Sequence, residues 1–244
     1  MAFLRDRNRQ PELMDQPELD DDQHRAALAG LGRVNKFSRT DAVLWSVLRP
    51  LAESQPHPLR ILDVACGGGD LAIRLARRSR RTGLQLQIEG CDMSATAIQF
   101  ASENAAHHGL TSLRFTQRNI LAEPLDHGAY DIVMCTLFLH HLDEDDAVKV
   151  LQTMQNGACR MVVVDDLLRT QFGYWLAWLG TRLLTRCHVV HVDGPMSVEG
   201  AFTWNEAKNL ARKAGLSNVR LSTHWPQRFL LTAAVQNEAS RDES

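Results

Sequence analysis

Short apolar runs alternate along this chain with longer stretches in which apolar residues recur at helical spacing. The runs Ile61–Val64, Leu86–Cys91, Leu113–Gln117, Tyr130–Thr136 and Met161–Val164 have the length and content of buried parallel strands. Between them the pattern predicts a helix from the glycines at 67–69 to about Arg80, a second capped by Ser94 and ending near Gly109, and a third capped by Asp143 and ending near Gly157. Upstream, Leu19–Val34 reads as a first helix, with Asp20–Asp22 at its start where acids suit the helix dipole. Ser38 and Asp41 have the spacing of a capping-box variant for a second helix, which is expected to end at Pro50. Downstream, Thr203 and Glu206 form a capping box for a helix closing at Gly215. Val219–Thr223 and Phe229–Val235 finish as an expected antiparallel pair. The layout is α/β, with strands and helices in turn.

The alternation pauses at Phe172–Val190, an apolar insert holding Phe172, Tyr174, Trp175, Leu176, Trp178, Leu179, Leu183 and Leu184. It reads either as a packed helix pair or as a lid for a greasy substrate, with transient membrane contact through 172–190. Residues 1–18 are expected to be loose. The domain reading is a flexible N-terminus and helical lid over 1–58, a core over 59–236 carrying the insert 167–200, and a flexible tail over 237–244.

Composition narrows the function classes. A chain of 244 residues suits one α/β domain with extra helices. A net charge of -2 provides no basic field for nucleic acid, so a small molecule is the expected partner. The five cysteines are scattered and read as small core residues in a reducing, cytoplasmic setting. No CxxC or His/Cys ligand spacing is present, and Asp143–Asp146 share one helical turn on which side chains diverge, so no metal is expected. The first residues show no apolar signal segment, and no run is long enough to cross a membrane.

The chemistry gathers after the first strand. Gly67, Gly68 and Gly69 sit between a strand and a helix, where free N–H groups and a close backbone approach suit a nucleotide-like cofactor. Gly67–Ala72 fits the dinucleotide pattern G-x-G-x-x-A, so an NAD-binding oxidoreductase is one reading. Asp92 closes the second strand, where a carboxylate can accept from both ribose hydroxyls.

Asp63-Val64-Ala65-Cys66-Gly67-Gly68-Gly69 resembles the first motif of class I S-adenosylmethionine (SAM) methyltransferases, and Tyr130–Leu142, ending Leu139-His140-His141-Leu142, resembles their fourth strand. The resemblance implies a Rossmann-like, seven-stranded, mostly parallel sheet in the order 3-2-1-4-5-7-6, with strand seven antiparallel, helices on both faces and an N-terminal helical lid. It implies SAM as cofactor, held by Asp63, Ala65, Gly67, Gly69, Asp92 and Met93, with Ile120 on the adenine and Thr136 at the end of strand four. Asn119 stands where the family usually has Asp. Asn35–Trp45 loosely resembles the lead-in of the ubiquinone-type enzymes, which would bring Arg39 to the cofactor carboxylate or the substrate. His140 and His141 fall at the strand edge suited to a general base, with Asp165, beside Asp166, as an alternative. The implied activity is O- or C-methylation of a phenolic or quinol-like small molecule. A SAM-fold binding subunit without turnover is a further alternative, favoured by Asn119.

Overall fold

The computed structural model describes residues 4–16 and 19–235. The expectation for the tail at 237–244 lies outside these residues. Seven strands form one sheet: β1 (Leu59–Val64), β2 (Leu86–Asp92), β3 (Arg114–Gln117), β4 (Tyr130–Thr136), β5 (Ala158–Leu167), β6 (Val219–His224) and β7 (Arg228–Ala234). Their order is β3-β2-β1-β4-β5-β7-β6. β1 pairs in parallel with β2 and β4, β2 with β3, and β4 with β5, while β7 runs antiparallel to both β5 and β6. The C-terminal ends of the parallel strands therefore share one rim, with Asp63 beside Gly90 and Met134, and Thr136 beside Asp165.

Eight helices accompany the sheet among the described residues: α1 (Asp21–Ser38), α2 (Thr40–Glu53), α3 (Asp70–Thr82), α4 (Ala95–His107), α5 (Glu144–Gly157), α6 (Gln171–Leu184), α7 (His188–Gly200) and α8 (Trp204–Lys213). The two-residue period of β1 divides the core. Ile61 faces Leu44, Leu48, Leu71 and Leu75 of α2 and α3, whereas Leu62 and Val64 face Leu151, Met154 and Leu210 of α5 and α8. Burial on both faces explains why these strands read as continuous apolar runs.

Local chemistry sets several boundaries as expected. Ser94 Oγ accepts from Ala97 N–H, Asp143 accepts from Asp146 N–H, and Thr203 and Glu206 complete a capping box. Other boundaries are moved by tertiary contacts. α1 runs on to Ser38, whose hydroxyl donates to the Asn35 carbonyl, and the chain turns at Arg39 with φ 55°; the expected Ser38–Asp41 capping box does not form. α2 continues through Pro50 to Glu53, because the next turn is held by Ser54 N–H on the Pro50 carbonyl and by the Arg49–Glu53 ion pair. β5 extends well past Val164, since pairing with β7 covers Asp165 and Asp166.

The insert becomes α6 and α7, which pack together. The looseness expected of the N-terminus is corrected for residues 4–16. Arg7 donates to the carbonyls of Gly200, His140 and Leu142 and lies 3.7 Å over the Phe202 ring, while Leu13 and Met14 pack beside Ala27, Val189 and Val190. Buried Arg169 ties this segment down further, donating to the carbonyls of Leu4 and Ala201 and to both oxygens of Glu206.

Glu206 thus closes a helix cap and neutralises a buried cation. Glu206→Ala should lower stability by about 2–3 kcal/mol, because the guanidinium is left uncompensated. Denaturant unfolding checks this, and a midpoint equal to that of the parent would contradict the role.

Candidate active site

The turn after β1 is shaped by its backbone. Ala65, Gly67 and Gly69 all take positive φ, at 52°, 51° and 70°, which a glycine tolerates and an alanine adopts under strain. Cys66 N–H donates to the Cys91 carbonyl, tying the turn to β2. A side chain at Gly69 would strike Phe115 and Ala101, so this glycine also serves close packing of helix on sheet.

Three carboxylates converge on the turn. Asp92 accepts from Gly67 N–H at 2.9 Å with one oxygen and from Ser94 N–H at 2.9 Å with the other. Asp63 lies beneath, only 1% exposed, and neither of its oxygens has a hydrogen-bond partner. Burial, and then the charges of Asp70 and Asp92, hold its carboxyl well above the usual range. Burial likewise raises Asp92, against the two backbone N–H bonds. Such a site calls for a cation. SAM fits it, because the methionine ammonium and the sulfonium both carry positive charge. The pyrophosphate of a dinucleotide would meet repulsion from the same acids.

α1 roofs the turn. Leu28 and Phe100 lie against the positions where Gly67 and Gly68 would carry side chains. Arg25 pairs with Glu103, and Thr96 donates to Asp21 at 2.7 Å, so α1 is fastened to α4. Met93 stands exposed after β2, with its carbonyl accepting from Gln117. Asn119 turns its amide oxygen to Leu121 N–H at 3.1 Å, so that oxygen already holds a local turn. Ile120 is buried in the core beside β2 and β4. Thr136 is half-buried at the end of β4.

The β4 rim differs from the expected general-base arrangement. Leu137 takes φ 53°, and its N–H donates to the Asp165 carbonyl at 2.8 Å. In the short 3₁₀ turn that follows, His140 is buried at 4% exposure, with Nδ1 2.6 Å from Asp166 and Nε2 3.6 Å from Glu12. Burial alone would lower its pKa, but Asp166 and Glu12 outweigh it and raise the imidazole to about 10. His140 therefore holds its proton at neutral pH and cannot receive one there. His141 stacks beside it, with ring centroids 4.2 Å apart, and places Nδ1 2.8 Å from Asp15.

Asp165 is fully buried and accepts from Arg228 at 3.1 Å and from His224. Arg228 continues to Thr40 and Asn35, so Asp165 links the sheet to the α1–α2 junction and is no free base. Arg39 stands at that junction, between α1 and α2. It lines an open cleft of about 840 Å³ with Phe37, Val43, His224 and Trp225.

Glu12, Asp15, His224 and Arg228 escaped the sequence reading. Glu12 and Asp15 lie in a polar segment with no periodicity, and the two others become legible only once β5 and β7 are paired.

A model of a methyltransferase domain matches residues 57–168. The ubiquinone biosynthesis O-methyltransferase of Acinetobacter baylyi is 30% identical over 173 residues, covering 63% of this chain and 69% of that protein. The protein of the same name from Cupriavidus pinatubonensis is 26% identical over 207 residues, covering 77% of this chain and 78% of its own. Among solved structures, the magnesium protoporphyrin IX methyltransferase of Synechocystis with bound SAM shares the fold, with a TM-score of 0.55 at 15% identity over 92% of this chain and 88% of that one.

Two outcomes follow. Asp92→Ala should weaken SAM binding by tenfold or more, about 1.4 kcal/mol, in calorimetry; unchanged affinity would remove Asp92 from the site. The second concerns pH. His140 has a folded pKa of about 10 against 6.5 for a free imidazole, so its stabilisation is whole below 6.5 and is lost as pH rises through 10. Melting temperature in EDTA-containing buffer should fall between these limits, and Asp166→Asn should flatten the fall. A parent protein with a flat profile would argue against the charged pair.

Proposed function

The chain belongs to the SAM-dependent methyltransferases, and from that premise we propose that it methylates a phenolic or quinol-like acceptor carrying an apolar tail. The observation that supports this acceptor class is the aromatic surface beside the rim. α6 leaves Phe172, Trp175, Trp178, Leu179 and Leu183 exposed, and Phe37 meets Trp225 edge-to-face, with centroids 5.9 Å apart, at the cleft. Surfaces of this kind suit a flat ring and a greasy tail. The names of the two quinone-pathway relatives point the same way. No described helix is long and apolar enough to cross a membrane. The aromatic face of α6 therefore supports contact at a membrane surface rather than insertion through it.

In this reading SAM lies between the glycine turn and α1, with Asp63 and Asp92 as its polar anchors. The sulfonium charge disperses as the methyl group moves, so the apolar cover from Leu28 and Phe100 favours transfer. Phe37, Val43 and Trp225 supply the walls for the acceptor ring, and Arg39 and His224 the polar groups. With His140 committed to Asp166 and Asp165 committed to Arg228, in-line positioning carries most of the acceleration.

Labelled SAM incubated with a panel of phenols and quinols, with and without prenyl tails, tests the proposal. Transfer should be strongest to a tailed acceptor. Trp225→Ala and Phe37→Ala should raise its KM about tenfold, the value of one lost aromatic contact, and leave SAM affinity unchanged. Transfer confined to acceptors without an aromatic ring would overturn the substrate class.

A further inference from the structure

We propose that Glu12, His140 and His141 form a site for one zinc-class divalent ion that staples the N-terminal segment across the rim of β4. Among the described residues, these three bring one donor atom each within 4.8 Å of one another. Glu12 Oε1 lies 3.6 Å from His140 Nε2 and 3.9 Å from His141 Nδ1, and Asp15 Oδ2 lies 2.8 Å from that same nitrogen. A tetrahedral zinc with bonds of about 2.0–2.1 Å spaces its ligands about 3.3 Å apart, within the spread of these separations.

The surroundings fit an ion as well as the donors do. Asp166 holds His140 Nδ1 at 2.6 Å, which orients the ring as in carboxylate–histidine–zinc arrangements, and zinc at Nε2 would displace the proton that the charged ring carries there. Ser197 donates at 2.6 Å to Glu12 Oε1, the oxygen that faces both histidines, and fixes that carboxylate toward them. Glu12 and His140 are 5% and 4% exposed, so water competes poorly for them. Arg7 and Arg9 reach the site only through backbone carbonyls and leave the three donors to an ion. Two imidazoles with a carboxylate suit zinc and its neighbours better than the hard ions magnesium or calcium. Three protein donors leave the fourth tetrahedral position to water, and the ion's part is to join the N-terminal segment to the rim. Spacing could not reveal the set, since Glu12 stands far from the two histidines in the chain.

The test uses the full chain, stripped with chelator and titrated with zinc chloride in the absence of SAM, so that its outcome is separate from the methyl-donor reading. Calorimetry should give one equivalent, and Glu12→Gln and His141→Ala should each weaken it tenfold or more. X-ray absorption of the zinc-loaded parent should show only nitrogen and oxygen ligands near 2.0–2.1 Å, and cobalt in place of zinc should give the visible spectrum of a tetrahedral centre. Zinc should also slow tryptic cleavage at Arg7 and Arg9. No binding, unchanged affinity in the two variants, or a sulfur ligand near 2.3 Å would overturn the site. Equal cleavage with and without zinc would overturn the staple.

Discussion

A carboxyl group buried without a partner is the constraint from which this structure follows. Asp63 sits under the glycine turn with both oxygens unsatisfied and two further acids nearby. Left ionised, it would cost several kcal/mol. Burial and like charge disfavour its ionised form, and a cation in the turn would offset both. The turn is thus tuned by what it lacks. The N–H groups of Cys66, Gly67 and Gly69 are already given to Cys91, Asp92 and Cys66, so what the turn offers a ligand is its acids, which favour one that is positively charged. This separates SAM from a dinucleotide more sharply than the glycine spacing does, since both cofactors are compatible with that spacing.

Two further charge networks tie the N-terminal elements to the sheet. One runs from Asp165 through Arg228 to Asn35 and Thr40 and fastens the α1–α2 junction. The other runs from Asp166 through His140 to Glu12 and fastens the N-terminal segment. Adjacent acids on β5 therefore anchor two separate pieces of chain. Alternate residues of a strand point to opposite faces, so this division is built into the pleat. The groups that seemed suited to moving protons are instead bound up in holding covers in place.

What was legible in the residues was the part governed by short-range rules. The strand runs, the helix after the glycines, and the caps at Ser94, Asp143 and Thr203 all depend on neighbours within a few positions. Asp92 was legible for the same reason, as an acid at a strand end after a glycine turn. The illegible part depends on partners far away. β5 outlasts its apolar run because Arg228 and His224 receive Asp165, and nothing near Asp165 announces them. α1 passes Val34 because Asn35 has a use in the folded state. His140 reads as a base because it falls at a strand end and an imidazole titrates near neutral pH, but its neighbours in space include two acids that nothing in the local sequence announces.

The comparison with the family divides the chain in a second way. The family model ends at residue 168, just where the insert begins. The matched part carries the glycine turn, Asp92 and β4. Outside it lie the N-terminal segment, α1, α2, α6, α7, α8, β6 and β7. Among these, α6 packs on α7, α1 on both, and the Leu13–Asp15 turn on α7, while β7 completes the sheet against β5. The pairs that join these elements to the sheet are buried: Asp165 is 0% exposed, Arg228 3% and Glu12 5%. Removing one partner of such a pair leaves an uncompensated charge in the interior, so each pair fixes its element in place more firmly than an exposed ion pair would.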